Sequence, residues 1–170
     1  MRRVFNGRMA RVVIAALTLV AATALAAPAL FTSKVPYEPL VAKLTASGGD
    51  PARIVRVRAA SDLTRLENGK RYKFVLAEAG TLAIAPLPAD APKNEYTHPI
   101  LAGGGAVRTA GGITVEHAGG KIAKVTIDED SKAYCPTLQS LDEAARALAT
   151  LGVAAQLIVR QDRPPACATR

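Results

Sequence analysis

The chain is expected to fold as a small single α+β domain. Its core would be a mainly antiparallel β-sheet with hairpins, with an N-terminal helix and a C-terminal helix followed by a last strand. Three observations predict this. Residues 72–77 with 81–85, and 113–116 with 122–127, read as paired strands around glycine-containing turns. Leu138, Leu141, Ala145, Leu148 and Leu151 recur every three or four residues, which is helical spacing. Once an N-terminal export signal is set aside, one ordinary domain's length of chain remains, enough for a single core.

That export signal is read from the first 26 residues. Arg2, Arg3, Arg8 and Arg11 form a positive region, residues 12–24 are uncharged, and Ala24-Leu25-Ala26 offers small residues where a signal peptidase reads. Cleavage is expected after Ala26, with Ala27 as the alternative, giving an exported domain of residues 27–170 in the periplasm or outside the cell. A retained anchor fits less well, because the apolar run is short and alanine-rich for a membrane span, which needs about 20 residues. Arg2-Arg3-Val4-Phe5 partly resembles the twin-arginine signal, so the export route stays open.

The signal also dominates the charge. The whole chain carries +8, and subtracting the four signal arginines leaves +4. The remaining excess is spread over short groups such as Arg53-Arg56-Arg58, Lys70-Arg71-Lys73 and Arg160-Arg163, with no Trp between them. A nucleic-acid surface would place such residues on one face with interleaved aromatics. No nucleic-acid partner is expected, and these cations read as solvated strand edges.

Each element has its own signal. Residues 36–47 carry Leu40, Val41 and Leu44 at helical spacing, and Gly48-Gly49 stops them. Residues 53–58, RIVRVR, alternate as a half-buried strand does. Residues 61–69 read as a polar turn with Leu63 and Leu66 reaching the core. Glu78-Ala79-Gly80 closes the first hairpin, and Pro86, Pro88, Pro92 and Pro99 mark a long loop. The second hairpin turns through residues 117–120, which places His117 in solvent. Ser140 with Glu143 suggests a capping box, or Thr137 a start one turn earlier, and Gly152 a C-cap. Residues 155–160 form the last strand. Helices are expected on one face of an antiparallel or mixed sheet.

Cys135 and Cys167 suit a structural disulfide in an oxidising compartment. The pair closes a loop of 31 intervening residues, 136–166, worth about 3–4 kcal/mol in the chain-entropy model. A metal pair or catalytic thiol would need partners, and the chain has only His98 and His117 and no Cys-x-x-Cys. No metal and no cofactor are expected.

Candidate chemistry concentrates between residues 96 and 136. His98, in Thr-His-Pro, is expected in an extended conformation before Pro99, either as an exposed loop histidine or as a ligand group at a pocket mouth. Gly103 and Gly104 could offer N–H groups to an anion beside Arg108, but no Lys-Ser/Thr follows, so a turn with φ > 0 is the better reading. Asp128-Glu129-Asp130 lacks the spacing of a calcium loop and reads as an acidic turn. Ser131 has no nucleophile elbow around it.

The stretch from His98 to Pro136 resembles a module found in bacterial exported and effector-type proteins and in plant calmodulin-binding IQ-motif proteins. Its pattern runs His-x-x-(Leu/Phe)-Ala-Gly-Gly, a later Ala-Gly, a Gly-x-Ile hairpin, then Ser-Gly-His-Tyr-x-Pro. His98, Leu101, Ala102, Gly103, Gly104, Ala110, Gly111, Gly120, Ile122, Ser131, Tyr134 and Pro136 fit it. The similarity extends over about residues 66–153. Lys132-Ala133 stands where the pattern has Gly-His, so its second histidine is missing, and the calmodulin-binding segment has no counterpart. The resemblance implies a fold more than a reaction. The expected function is a non-catalytic binding module for a protein, glycan or small ligand, using His98, Gly103, Gly104, Arg108, Ser131 and Tyr134. The alternative is a small exported enzyme or effector acting through His98 and Arg108 on a nucleotide-like or acidic substrate.

Overall fold

A computed structural model describes residues 27–164 and Cys167. The expected signal segment, residues 1–26, lies outside the described residues. Among the described residues six strands form one sheet: β1 (Val55–Val57), β2 (Arg71–Ala77), β3 (Leu82–Pro88), β4 (Val107–Ala118), β5 (Lys121–Asp128) and β6 (Ile158–Gln161). Their order is β1-β3-β2-β4-β5-β6, antiparallel throughout except for the β5–β6 pair. The helices are α1 (Tyr37–Ala46), α2 (Ala60–Leu63), α3 (His98–Leu101) and α4 (Leu141–Thr150). The α+β domain with hairpins, terminal helices and a last strand is the architecture observed.

The helices do not share one face, as expected, but cover both. On one side α2 and α4 supply Leu63, Leu141, Ala144 and Leu148 against Phe74, Ile84, Ile113 and Ile127. On the other, α1 and α3 supply Leu44, Ile100 and Leu101 against Val75, Ala83, Val107 and Ala110. Alternation along β2 places Tyr72, Phe74 and Leu76 on the first side and Val75 on the second. A central strand buried on both faces needs a layer on each.

Several boundaries shift for identifiable reasons. Arg53 ends a short 3-10 turn, Pro51–Arg53, because Asp50 Oδ1 accepts the Ala52 N–H at 2.8 Å and Pro51 fits a first turn. β1 therefore starts at Val55. β3 runs on through Pro86 and Pro88 because β1 pairs it only as far as Ile84, so no ladder bond is lost on that side. β4 begins at Val107, six residues before the expected strand, and carries Gly111 and Gly112 inside it. The hairpin turn is Gly119-Gly120, both with positive φ, and His117 is a half-buried residue of β4.

The capping box does not form. Ser140 Oγ bonds Thr109 Oγ1 at 2.8 Å and the Thr137 carbonyl, and a 3-10 turn, Leu138–Ser140, leads into α4. Gly152, at φ +97°, follows the last turn as expected. Residues 155–157 form another 3-10 turn, so β6 starts only at Ile158. Cys135 and Cys167 are joined, with Cα atoms 6.0 Å apart. Among the described residues no helix is long and apolar enough to cross a membrane.

Candidate functional site

His98 is neither extended nor exposed. Thr97 takes the extended conformation, and His98 opens α3 with Pro99 at its second position, where a missing N–H costs nothing. The residue is 9% exposed, and its Nε2 lies 3.0 Å from the Gly111 carbonyl. That oxygen can only accept, so Nε2 carries the proton and Nδ1 is left as an acceptor. Burial, only partly offset by the Gly111 bond and reinforced by Lys73 and Arg71, pushes the imidazole down to about 4. His98 is a neutral group at physiological pH.

His98 lines a cavity of about 390 Å³ between β2, the start of α3 and the segment after β5. Its polar wall comes from Arg71 and Lys73 of β2, Thr97, Asp130 and Lys132. Its apolar wall includes Val35, Leu40 and Pro99. Arg71 and Lys73 are therefore not the solvated strand edges expected of them. Their strand is central, and α1 and α3 cover this side of it.

The two cations differ sharply. Arg71 is committed: Nε and Nη2 donate to the two Asp128 oxygens at 2.9 Å each, and Nη2 also reaches Asp130 at 3.2 Å. Asp128 Oδ1 accepts two further N–H groups, from Gly112 at 2.8 Å and Asp130 at 3.0 Å. Burial opposes ionisation of Asp128, but Arg71 and these N–H groups outweigh it and hold the carboxyl below its usual range. The Lys73 ammonium has no hydrogen bond or ion pair among the described residues. Burial lowers its pKa, Glu95 opposes that, and Arg71 adds to it. Thr97 Oγ1 is also buried without a partner among the described residues.

Of the residues expected in a site, only His98 lines this cavity. Arg108 belongs to a different one with Glu143 and Arg146 against α4; its Nε donates to the Glu78 carbonyl at 2.9 Å. The glycine run is a turn closing α3, with Gly103 at φ +63° and Gly104 at +79°. Their N–H groups bond the carbonyls of Ile100 and Pro99, so no anion-binding nest is open there. Gly104 is pressed against Tyr37, where an added Cβ would meet the ring at 2.9 Å. Tyr134 is buried and donates its hydroxyl to the Gly105 carbonyl at 2.8 Å, and burial pushes its pKa up to about 12. Ser131 is fully buried, its Oγ without a partner among the described residues, and its carbonyl receives the Cys135 N–H at 2.7 Å.

The residues that sequence reasoning missed are Lys73, Thr97 and Asp130. Two cations one residue apart in Arg71-Tyr72-Lys73-Phe74, inside an otherwise apolar strand, were the available signal. Among the described residues no group of three His, Cys, Asp or Glu side chains is placed to hold a metal. Compared with known protein families, curated proteins and solved structures, the chain matches none of them.

Proposed function

We propose that this is an exported, non-catalytic binding module that takes a small ligand in the cavity beside His98. The observation that carries the reading is the uncommitted Lys73 ammonium on the half-buried wall of a cavity of about 390 Å³, within the size range of ligand pockets. Holding a lysine there without a partner disfavours its charged form. A bound group would relieve that cost. The disulfide and the signal-like first 26 residues support export to the periplasm or beyond.

Binding is favoured over catalysis by the state of His98. A general base works best with a pKa near the operating pH, whereas this ring is held at about 4 with Nε2 bonded to Gly111. Arg108, the other residue of the enzymatic reading, lines a separate cavity. The test is a small-molecule panel followed by thermal shift on the exported, disulfide-bonded protein. Ligands that raise the melting temperature of the wild type should fail on Ala89→Phe, which adds a ring to the cavity wall, provided its circular dichroism is unchanged. Equal responses from both proteins, or turnover of a bound compound, would overturn the reading.

A further inference from the structure

The cavity holds one more positive charge than its neighbours cancel. Arg71, Lys73 and Lys132 line it, and Asp128 and Asp130 bind Arg71, so three cations face two carboxylates. Glu95 also attracts Lys73, but its Oε2 is held by Lys43 at 3.0 Å. Arg163 approaches Asp130 only at 4.0 Å, beyond hydrogen-bond reach. The surplus of one positive charge therefore falls on Lys73 and the exposed Lys132.

We propose, on the basis of the binding reading above, that the ligand is a small organic monocarboxylate with an apolar body. Its carboxylate would be taken by the half-buried Lys73 ammonium and the buried, unpartnered Thr97 hydroxyl, both on the cavity wall. Its body would lie against Val35, Leu40 and Pro99. A dianionic phosphate ester exceeds the single surplus charge and meets Asp130. An ammonium is repelled by Lys73, and a neutral molecule leaves it unpaired. Charge-assisted bonds to a poorly solvated lysine give the preference its size.

Hexanoate, hexyl phosphate, hexanol and hexylamine separate these classes when titrated by calorimetry into the exported, disulfide-bonded protein at pH 7. Hexanoate should bind at least about tenfold more tightly than each of the others. Lys73→Met should remove that preference while keeping the wild-type circular dichroism spectrum, which shows that the variant is folded. Hexyl phosphate or hexylamine matching hexanoate, or hexanoate binding undiminished in Lys73→Met, sinks the monocarboxylate assignment. If hexanol binds and Ala89→Phe blocks it without any charge preference, the ligand class falls and the binding module stands. If none of the four binds in a manner sensitive to Ala89→Phe, both fall.

Discussion

Protonating His98 would put a cation into a site that is 9% exposed and already bordered by Lys73 and Arg71. The sign of the pH effect follows directly. The unfolded chain takes up this proton near 6.5, the folded one only near about 4. Between those values the unfolded state binds more protons, so stability falls as pH drops from about 6.5 to about 4 and is unaffected by this group above 6.5. The loss approaches about 3 kcal/mol at the acid end. His98→Gln keeps a donor for Gly111 without the titration. Urea denaturation at pH 7 and pH 4.5 should show the wild type losing about 2–3 kcal/mol more than this variant. Equal losses would mean that His98 titrates normally. The histidine was visible in the sequence, but its burial was not. A single histidine before proline carries no local signal of what will cover it; here α1 packs on α3, and α1 and the chain after β5 line the cavity beside the ring. Lys73 was misread for the related reason that a charge on a strand indicates solvent only when that face of the sheet is open.

At the scale of elements, the clearest dependence is of the β2–β4–β5 junction on two glycines. A Cβ on Gly111 would lie 1.8 Å from the Asp128 carbonyl oxygen, a backbone atom that cannot turn aside. A Cβ on Gly112 would lie 2.2 Å from Arg71 Nε, a side chain that can move. Glycine within a strand here marks close approach by another backbone. Gly111→Ala should force the Asp128 turn off β4, breaking the Gly112–Asp128 bond and loosening the Arg71–Asp128 pair. Its expected cost is about 3–5 kcal/mol, the scale of breaking a buried ion pair. Gly69→Ala is the comparison: it has φ +71° with open space around it, so backbone strain alone should cost about 1–2 kcal/mol. Chemical denaturation ranks the two, and a Gly111→Ala no worse than Gly69→Ala would remove this constraint. Elements defined by local periodicity were legible: α1, β2, β5 and α4 all fall where their apolar spacing put them. α3 was not, because one helical turn has no period. The early start of β4 was hidden for a similar reason, since Gly111-Gly112 reads as a break unless the opposing Asp128 turn is known.

On the scale of the whole molecule, the chain after α4 is held in two ways. β6 pairs in parallel with β5, from Ile158 opposite Val125 to Gln161 opposite Asp128. Beyond it, Cys167 is bonded to Cys135, which lies just after the segment lining the cavity. Neither pairing partner is a sequence neighbour, so strand order was the least legible feature. The disulfide was legible, because two cysteines with no metal-ligand or catalytic company leave one structural role. Its two ends lie 32 positions apart, and opening the link frees that loop in the unfolded chain, at an expected cost of about 3–4 kcal/mol. For a domain of this size each kcal/mol moves the midpoint by about 2–5 °C, so reduction should lower the melting temperature by roughly 10 °C. Glu129 gives a second readout. Its side chain is near Arg163 and Asp162 of the same tail, and burial, with Asp162 adding to it, raises its pKa. Reduction should therefore loosen hydrogen-exchange protection at the β5–β6 end before the β2–β3–β4 centre. A reduced protein that melts at the oxidised temperature, or that loses protection uniformly, would show that β6 alone holds the tail and that the disulfide adds nothing to the fold.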